Sequence, residues 1–513
     1  MSTPADYLAF LRQKGVKLWV DNGELRYQAR KGSLRADELA ELRGMRADLI
    51  AELSQSPDFE TNDPRQAGAK SGRQAPLSFQ QQWLLKMIQD HSHWKATLTY
   101  TLHLTGEIDK TALEKSFQSV LSRHEGLRTK IVGMDGLLEQ RIEEPARFQV
   151  GFTKISGASD GEIENNSLSL IREIESRALD PGLAPMMMAE LLQISPRNHF
   201  LILIVHRLAA DCLGIVQVLR DLWASYGKVV SASGSELEGK AVQYCDYATW
   251  QHTMGAFWQG KHAAYWTERL MGAERIRWPI EECMPSAPTY SQAQLASQES
   301  SLGETLSTQL RELARQMQTL PALVVLAVYA ASVSILCKQQ DFILPFLIAG
   351  RTSEHESVVG YFSYIAYLRV RCSGTESFAD LLKQVTNEYY RAATFRQDFG
   401  RNAAQRPGLL GGTLCQWLSW HPREVAGLGL DDLTRPLGIT LRRIPCQSTE
   451  ELTNTPPATV DIEITFFDAV GNIGAFATFK PDRLARSFVS RLMQHIQSVA
   501  ERVISDPLCQ AIN

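Results

Sequence analysis

No C-x-x-C pair occurs in this sequence, and its eight cysteines are scattered singly with no His/Cys cluster beside them. That spacing excludes the common zinc modules, so no metal is expected. It fits reduced thiols in a cytoplasmic protein. A basic excess is also missing: the formal net charge is -4, which gives no electrostatic footprint for nucleic acid. The start, MSTPADYLAF, lacks the basic residues and long apolar run of a signal peptide. Only Leu320 to Cys337 approaches membrane-span length, and Pro321, Tyr329, Ser332 and Ser334 interrupt it. A buried core helix is expected there, and no membrane partner. No tandem repeat occurs at a fixed period.

What remains is the composition of a globular protein, 44% hydrophobic and 21% charged over 513 residues. That length suggests about three domains. The stretch that organises the chain runs from His199 to Tyr226. An apolar run, Phe200 to Val205, predicts a strand, and His206-Arg207-Leu208-Ala209-Ala210-Asp211 follows as a polar loop. Ile215, Val216, Leu219 and Leu222 then keep a helical spacing. A strand that stops at a His and restarts as a helix fixes an imidazole while leaving its ring nitrogens for proton transfer. The plainer alternative is a satisfied strand-end His, with Arg207 and Asp211 as a local ion pair.

Upstream, Tyr7, Leu8, Phe10 and Leu11 predict a helix over Ala5 to Lys14. Two β-rich runs around Asn22-Gly23 predict a hairpin, because its turn needs positive φ at the centre. From Ser33 the apolar spacing turns helical, and Gly44 divides it in two. So small a unit has little core of its own. Its edge, with Leu18, Trp19, Val20, Leu25 and Tyr27, suits β-augmentation by a partner segment. Residues 55–75 are polar and aperiodic and form a linker.

In the remainder, Ser78 is a candidate N-cap before Trp83 and Leu84. Thr97 to Leu104 predicts a strand and Lys110 to Ser122 a helix, with Gly126 as a candidate helix end. Leu344 to Arg351 and Val358 to Phe362 predict a strand–loop–strand. A helix over Phe378 to Ala393 follows, then strands over Val460 to Phe467 and Gly474 to Thr478, and a last helix over Leu484 to Val503.

The N-terminal segment LRQKGVKLWVDNGELRYQARKG, with LRADELAELRGMRADLIAEL after it, resembles the small docking domain at the start of some nonribosomal peptide synthetase subunits. From residue 76 onward the motifs fall in the order found in the condensation-domain family of those synthetases. Ser78-x-x-Gln81-x-Trp83-Leu84 is similar to the family's first motif. Arg123-His124-Glu125-Gly126-Leu127-Arg128-Thr129 resembles the second and Tyr244-x-Asp246-Tyr247-Ala248-x-Trp250 the fourth. Gly360-Tyr361-Phe362 and Arg396-Gln397-Asp398-Phe399 match the fifth and sixth more loosely.

The resemblance implies an α/β fold of two chloramphenicol-acetyltransferase-like lobes in a V with a tunnel between them, preceded by a small α-β-β-α-α docking domain. The implied division is 1–54 docking domain, 55–75 linker, 76–240 first lobe and 241–513 second lobe. Donor and acceptor would arrive on phosphopantetheine arms of carrier proteins, with no resident cofactor. The hairpin would receive the C-terminal tail of an upstream subunit.

The family's third motif, two adjacent His, three variable residues, Asp and Gly, stands here as His206-Arg207-Leu208-Ala209-Ala210-Asp211-Cys212. The second His, the family's catalytic residue, is replaced by Arg207. A guanidinium has five donors, no acceptor and a pKa above about 12, so Arg207 is no general base. It can stabilise an oxyanion, orient an acidic group or pair with Asp211. In the family the first His is structural. The catalytic candidates are therefore His206, Arg207 and Asp211, with Arg128, Cys212 and Gly214 supporting the substrate channel. Three functions follow. The chain forms amides by proximity and charge stabilisation; or it is a silent condensation-like domain that recruits a tailoring enzyme or passes an intermediate on; or it transfers acyl groups to a non-amine acceptor.

Overall fold

In the computed structural model, the alternation around Asn22-Gly23 gives an antiparallel ribbon of β1 (Lys17–Asp21) and β2 (Glu24–Gln28). Its register sets Leu18 opposite Tyr27, Trp19 opposite Arg26 and Val20 opposite Leu25. The structure describes residues 16–21, 24–28, most of 42–50, and 72–511 apart from 92–93, 135–136, 238–241, 280–294, 373–374, 396–411, 421–427, 445–459 and 470. The helix expected over Ala5 to Lys14 and the Arg396 to Phe399 motif lie outside the described residues.

After β3 (Gln74–Pro76) comes α1 (Phe79–Asp90), which starts where Ser78 predicts. The Ser78 hydroxyl accepts from the Gln81 amide and the Gln81 side chain accepts from the Ser78 amide, a reciprocal cap that satisfies two orphan donors. β4 (Thr97–Thr105) leads to α2 (Lys110–Arg123), capped by Asp109. Gly126 does not end that helix. It ends at Arg123, with His124 as its cap, and Gly126 sits in a following 3-10 turn, Glu125–Arg128. A Cβ at Gly126 would lie 3.1 Å from the Val359 carbonyl oxygen and 3.3 Å from that of Ala209, so close backbone approach is what the glycine permits.

Next come β5 (Thr129–Met134), β6 (Leu137–Ile142), β7 (Gly151–Lys154), α3 (Asp160–Glu175), β8 (Met187–Ser195) and β9 (Asn198–His206). β9 feeds α4 (Cys212–Val230), and the 26-residue α5 (Tyr244–Arg269) follows. The second half holds β10 (Ala296–Ser301), α6 (Glu304–Gln316), α7 (Pro321–Cys337), β11 (Asp341–Ile348), β12 (Tyr364–Arg371), α8 (Phe378–Thr394) and β13 (Thr413–Leu418). It ends with β14 (Thr440–Ile444), β15 (Ile462–Ala469), β16 (Asn472–Phe479) and α9 (Arg486–Ser505).

Val358 to Phe362 is not a strand. Its backbone groups serve Arg351 and Asp211 instead of a neighbouring strand: the Val358 and Gly360 carbonyls accept from Arg351, and the Phe362 amide donates to Asp211. The apolar run near residue 320 is a core helix, with Leu323 to Ser334 buried. Among the described residues no single helix is long and apolar enough to cross a membrane.

Two sheets result. The first has the order β14-β4-β9-β8-β7, with β9 in the middle, and the second β10-β16-β15-β13-β11-β12. β14 comes late in the sequence yet pairs antiparallel with β4, so the C-terminal half contributes an edge strand to the first sheet. A small sheet, β3-β6-β5, lies beside α5. The mixed α/β architecture is the one expected.

Candidate functional site

β9 is apolar and buried on both faces up to its last residue, His206. Leu201, Leu203 and Val205 join one cluster, Ile202 and Ile204 another. Such a strand resists register slip, since a one-residue shift would exchange the two faces. It therefore delivers the following loop to a fixed place.

Hydrogen bonds from several elements suspend that loop. The Arg207 amide donates to the Ala96 carbonyl at 2.8 Å, and the Leu208 amide to His206 Nδ1 at 3.2 Å. Gln81 Nε2 donates to the Leu208 carbonyl at 2.9 Å. The Asp211 amide donates to the Gly360 carbonyl at 3.1 Å, and Asp211 Oδ1 accepts from the Gly214 amide at 2.9 Å, capping α4. Gly214 is hemmed in: a Cβ there would lie 3.1 Å from Ala210 Cβ and 3.4 Å from the Gly360 carbonyl oxygen.

Each site residue now has a place. His206 is buried, and burial first, then the Arg207 charge, pushes its pKa down to about 4 against a smaller opposing pull from Asp180. It is a neutral ring whose Nδ1 accepts a backbone proton, which fixes the turn. Arg207 is 3% exposed, with its guanidinium 5.9 Å from the centre of the Trp94 ring. Asp211 does not turn to Arg207. Its Oδ2 meets Arg351 Nη1 at 2.5 Å, the Phe362 amide at 3.0 Å and Ser363 Oγ at 3.3 Å. Cys212 is half-buried at the first position of α4. Arg128 belongs to a different buried group: it donates to the Glu143 carbonyl and lies 3.8 Å from Glu125. Glu125 also accepts from the Cys245 thiol at 2.8 Å.

The second half supplies the facing residues. Arg351 spreads over the Phe362 ring at 4.5 Å and donates to the Val358 and Gly360 carbonyls. Tyr244, from the fourth motif, donates to the Tyr361 carbonyl and meets Ser78 Oγ at 2.6 Å, so the first, fourth and fifth motifs share one buried junction. Gly360 is required there, because a Cβ would fall 2.0 Å from the Tyr244 ring. Burial raises the Tyr361 phenol well above the usual range. The Arg207 charge opposes that rise, while Asp211, Cys212 and Glu463 add to it.

Sequence reasoning placed the loop but missed Gln81 as its support, Trp94 and Arg351. Arg351 was detectable as a cation at the end of an apolar strand run. Among the described residues no group of three or more His, Cys, Asp and Glu side chains is placed to hold a metal. The Arg207 charge lies within electrostatic reach of His206 and of the Tyr361 phenol.

The family model described as the condensation domain matches residues 72–402, and the one described as the TubC N-terminal docking domain matches residues 5–55. Bacitracin synthase 2 of Bacillus licheniformis is 25% identical over 392 residues, covering 75% of this chain and 14% of that protein. The chain spans between 4% and 14% of the length of eight curated relatives that it matches. Among solved structures, the EpoB NRPS cyclization-docking bidomain of Sorangium cellulosum is similar with a TM-score of 0.71 at 16% identity, covering 98% of this chain and 99% of that one. The X-domain in the complex of the X-domain and OxyB from teicoplanin biosynthesis is similar with a TM-score of 0.70 at 19% identity, covering 89% and 98%.

Proposed function

Because this chain belongs to the condensation-domain family and carries a TubC-type docking domain at its N-terminus, we propose that it joins a donor acyl or peptidyl group to an acceptor aminoacyl group within a nonribosomal peptide synthetase. The observation that carries this reading is how firmly the altered motif loop is held. Although Arg207 replaces the second His, β9, the Asp211 cap on α4 and the Asp211–Arg351 junction hold the loop in a single arrangement. Donor and acceptor come on phosphopantetheine arms of two carrier proteins, and the reaction needs no resident cofactor. The β1–β2 ribbon takes the C-terminal tail of the upstream subunit, with Leu18, Trp19, Val20, Leu25 and Tyr27 as its contacts.

The acceptor amine attacks the donor thioester carbonyl, and Arg207 stabilises the negative charge that develops on its oxygen. Bringing the two arms together is worth about 7–11 kcal/mol, so the absence of an imidazole base, worth about 10²–10⁴-fold, leaves room for turnover. The test is reconstitution with loaded donor and acceptor carriers, read by intact mass. Transfer by the wild type and a drop of about 10²–10³-fold in Arg207→Ala is the expected result.

The substitution at Arg207 and the X-domain that is known in complex with OxyB favour a second reading, a silent domain that binds a tailoring enzyme. It predicts no transfer by the wild type together with stable binding of a tailoring enzyme.

A further inference from the structure

We propose that Gln81, on α1, is a positioning residue for the transfer reaction: it fixes the peptide that follows Arg207, and with it the place from which the motif loop acts. This rests on the amide-forming reading above. Two consecutive glutamines on α1 have divided duties. Gln80 Nε2 donates to the Tyr247 hydroxyl at 3.0 Å and Gln80 Oε1 accepts from Gln251 Nε2 at 3.0 Å, so Gln80 holds α5. Gln81 holds the loop. Its Oε1 accepts from the Ser78 amide at 3.0 Å, and its Nε2 donates to the Leu208 carbonyl at 2.9 Å and to Gln140 Oε1, on β6, at 3.1 Å. Both glutamines are buried, Gln80 to 5% and Gln81 to 1% exposure.

The partners leave the Gln81 amide one orientation. The Ser78 N–H can only donate, so the Gln81 oxygen faces it and the nitrogen turns to the loop. Gln140 is fixed in the same way: its Nε2 donates to the Pro76 carbonyl at 2.8 Å, which leaves its oxygen for Gln81. What Gln81 holds is the peptide between Leu208 and Ala209. The N–H of that peptide donates to the His206 carbonyl at 2.9 Å, and its C=O accepts from Gln81 Nε2. The preceding peptide, between Arg207 and Leu208, is held through its N–H by His206 Nδ1. His206 thus supplies its bonds from within the loop, whereas Gln81 ties the loop to a separate helix. Without Gln81 the Leu208 carbonyl loses its partner in a buried place, and the cost of that loss drives the peptide to turn. The turn displaces Arg207 next to it, and a misplacement of about 1 Å is worth up to about 10²-fold in rate. Gln81 acts through the loop and not on the substrate.

The experiment uses the whole chain with loaded donor and acceptor carriers, and follows thermal unfolding of each variant beside its transfer kinetics. Gln81→Met nearly keeps the size of the side chain and removes the donor. It is expected to lower kcat by about 10–10²-fold with the acceptor carrier's KM unchanged. Gln80→Met is the control, because it loses the bonds to Tyr247 and Gln251 but none to the loop. It is expected to lower the unfolding temperature and to keep kcat within about threefold of wild type. Gln81→Glu, whose second oxygen would face the Leu208 carbonyl, is expected to fall below Gln81→Met. A wild-type kcat in Gln81→Met overturns the proposal. Equal losses of kcat in Gln80→Met and Gln81→Met also overturn it, because α1 then serves stability alone. If Gln81→Met does not fold, Gln81→Asn and Gln80→Asn are compared in its place, and equal losses overturn the proposal there too. If the wild type itself transfers nothing, the amide-forming reading falls and this inference with it. If the wild type transfers while the two glutamine variants fall alike, the inference falls alone.

Discussion

The two sheets are clothed differently. In the first, both faces of β9 are apolar: Leu201, Leu203 and Val205 pack with α2 and α4, and Ile202 and Ile204 with Ile171 and Ile174 of α3. In the second, β15 and β16 send Ile462, Ile464, Ala477 and Phe479 toward the helices, whereas Glu463, Thr465 and Thr478 line the reverse face. Burying such groups is costly unless each finds a partner, so a folded chain tolerates them only where something else requires them. The first sheet acts as a rigid carrier whose product is the loop at the end of β9. The second is a wall that buries polar side chains on the face away from its helices. The Asp211–Arg351 pair joins the two.

Breaking that join gives the largest expected effect. Asp211→Ala strips Arg351 of its counter-charge and leaves the Gly214 and Phe362 amides without their acceptor. Loss of one partner of a buried pair costs about 3–5 kcal/mol, to be read in denaturant unfolding. A cost below about 1 kcal/mol would mean the halves do not depend on this contact. Ile464→Ala opens a cavity on the apolar face of β15 and is expected to cost about 2–5 kcal/mol in the same measurement.

His206 gives the carrier sheet a pH signature. His206 has a folded pKa of about 4, below the ordinary 6.5. The unfolded chain therefore binds the proton first as pH falls. The neutral ring's stabilisation is complete above about pH 6.5 and is lost progressively down to about pH 4, amounting to about 3 kcal/mol. His206→Asn keeps an acceptor for the Leu208 amide and does not titrate, so the difference between wild-type and variant stability should shrink on acidification across that window. A difference independent of pH would show that burial does not hold the ring neutral.

Much of this was legible beforehand, and the reason is local. The Ser78 cap, the β9 run and the helical spacing after Asp211 are each written within a few residues, where propensity and periodicity act. The order of motifs resembling a known family located the loop. Three things were not legible. The bonding of residues 358–362 depends on Arg351 and Asp211, the latter about 150 residues away in sequence. Gly126 looks like a helix stop but answers to Ala209 and Val359 across the junction. β14 pairs with β4, more than 300 residues earlier, and no local pattern records that partner. Arg128 illustrates the limit of carrying a motif over: its guanidinium is spent on Glu143 and Glu125.

The smallest effect tests the wall itself. Thr465 Oγ1 accepts from Gln416 Nε2 at 2.7 Å, and both residues are buried on the polar face. Thr465→Val is nearly isosteric but removes the acceptor, so the Gln416 amide loses a hydrogen bond in a place where water does not replace it. The expected cost is about 1 kcal/mol, well under that of Ile464→Ala one residue along the same strand. The contrast matters more than either number. If Thr465→Val instead stabilises the protein, the reverse face of the second sheet is ordinary core in which polar groups are merely tolerated, and the distinction between carrier and wall dissolves. If it destabilises by the expected amount while transfer between carriers continues, the polar face is a satisfied network that takes no part in the chemistry.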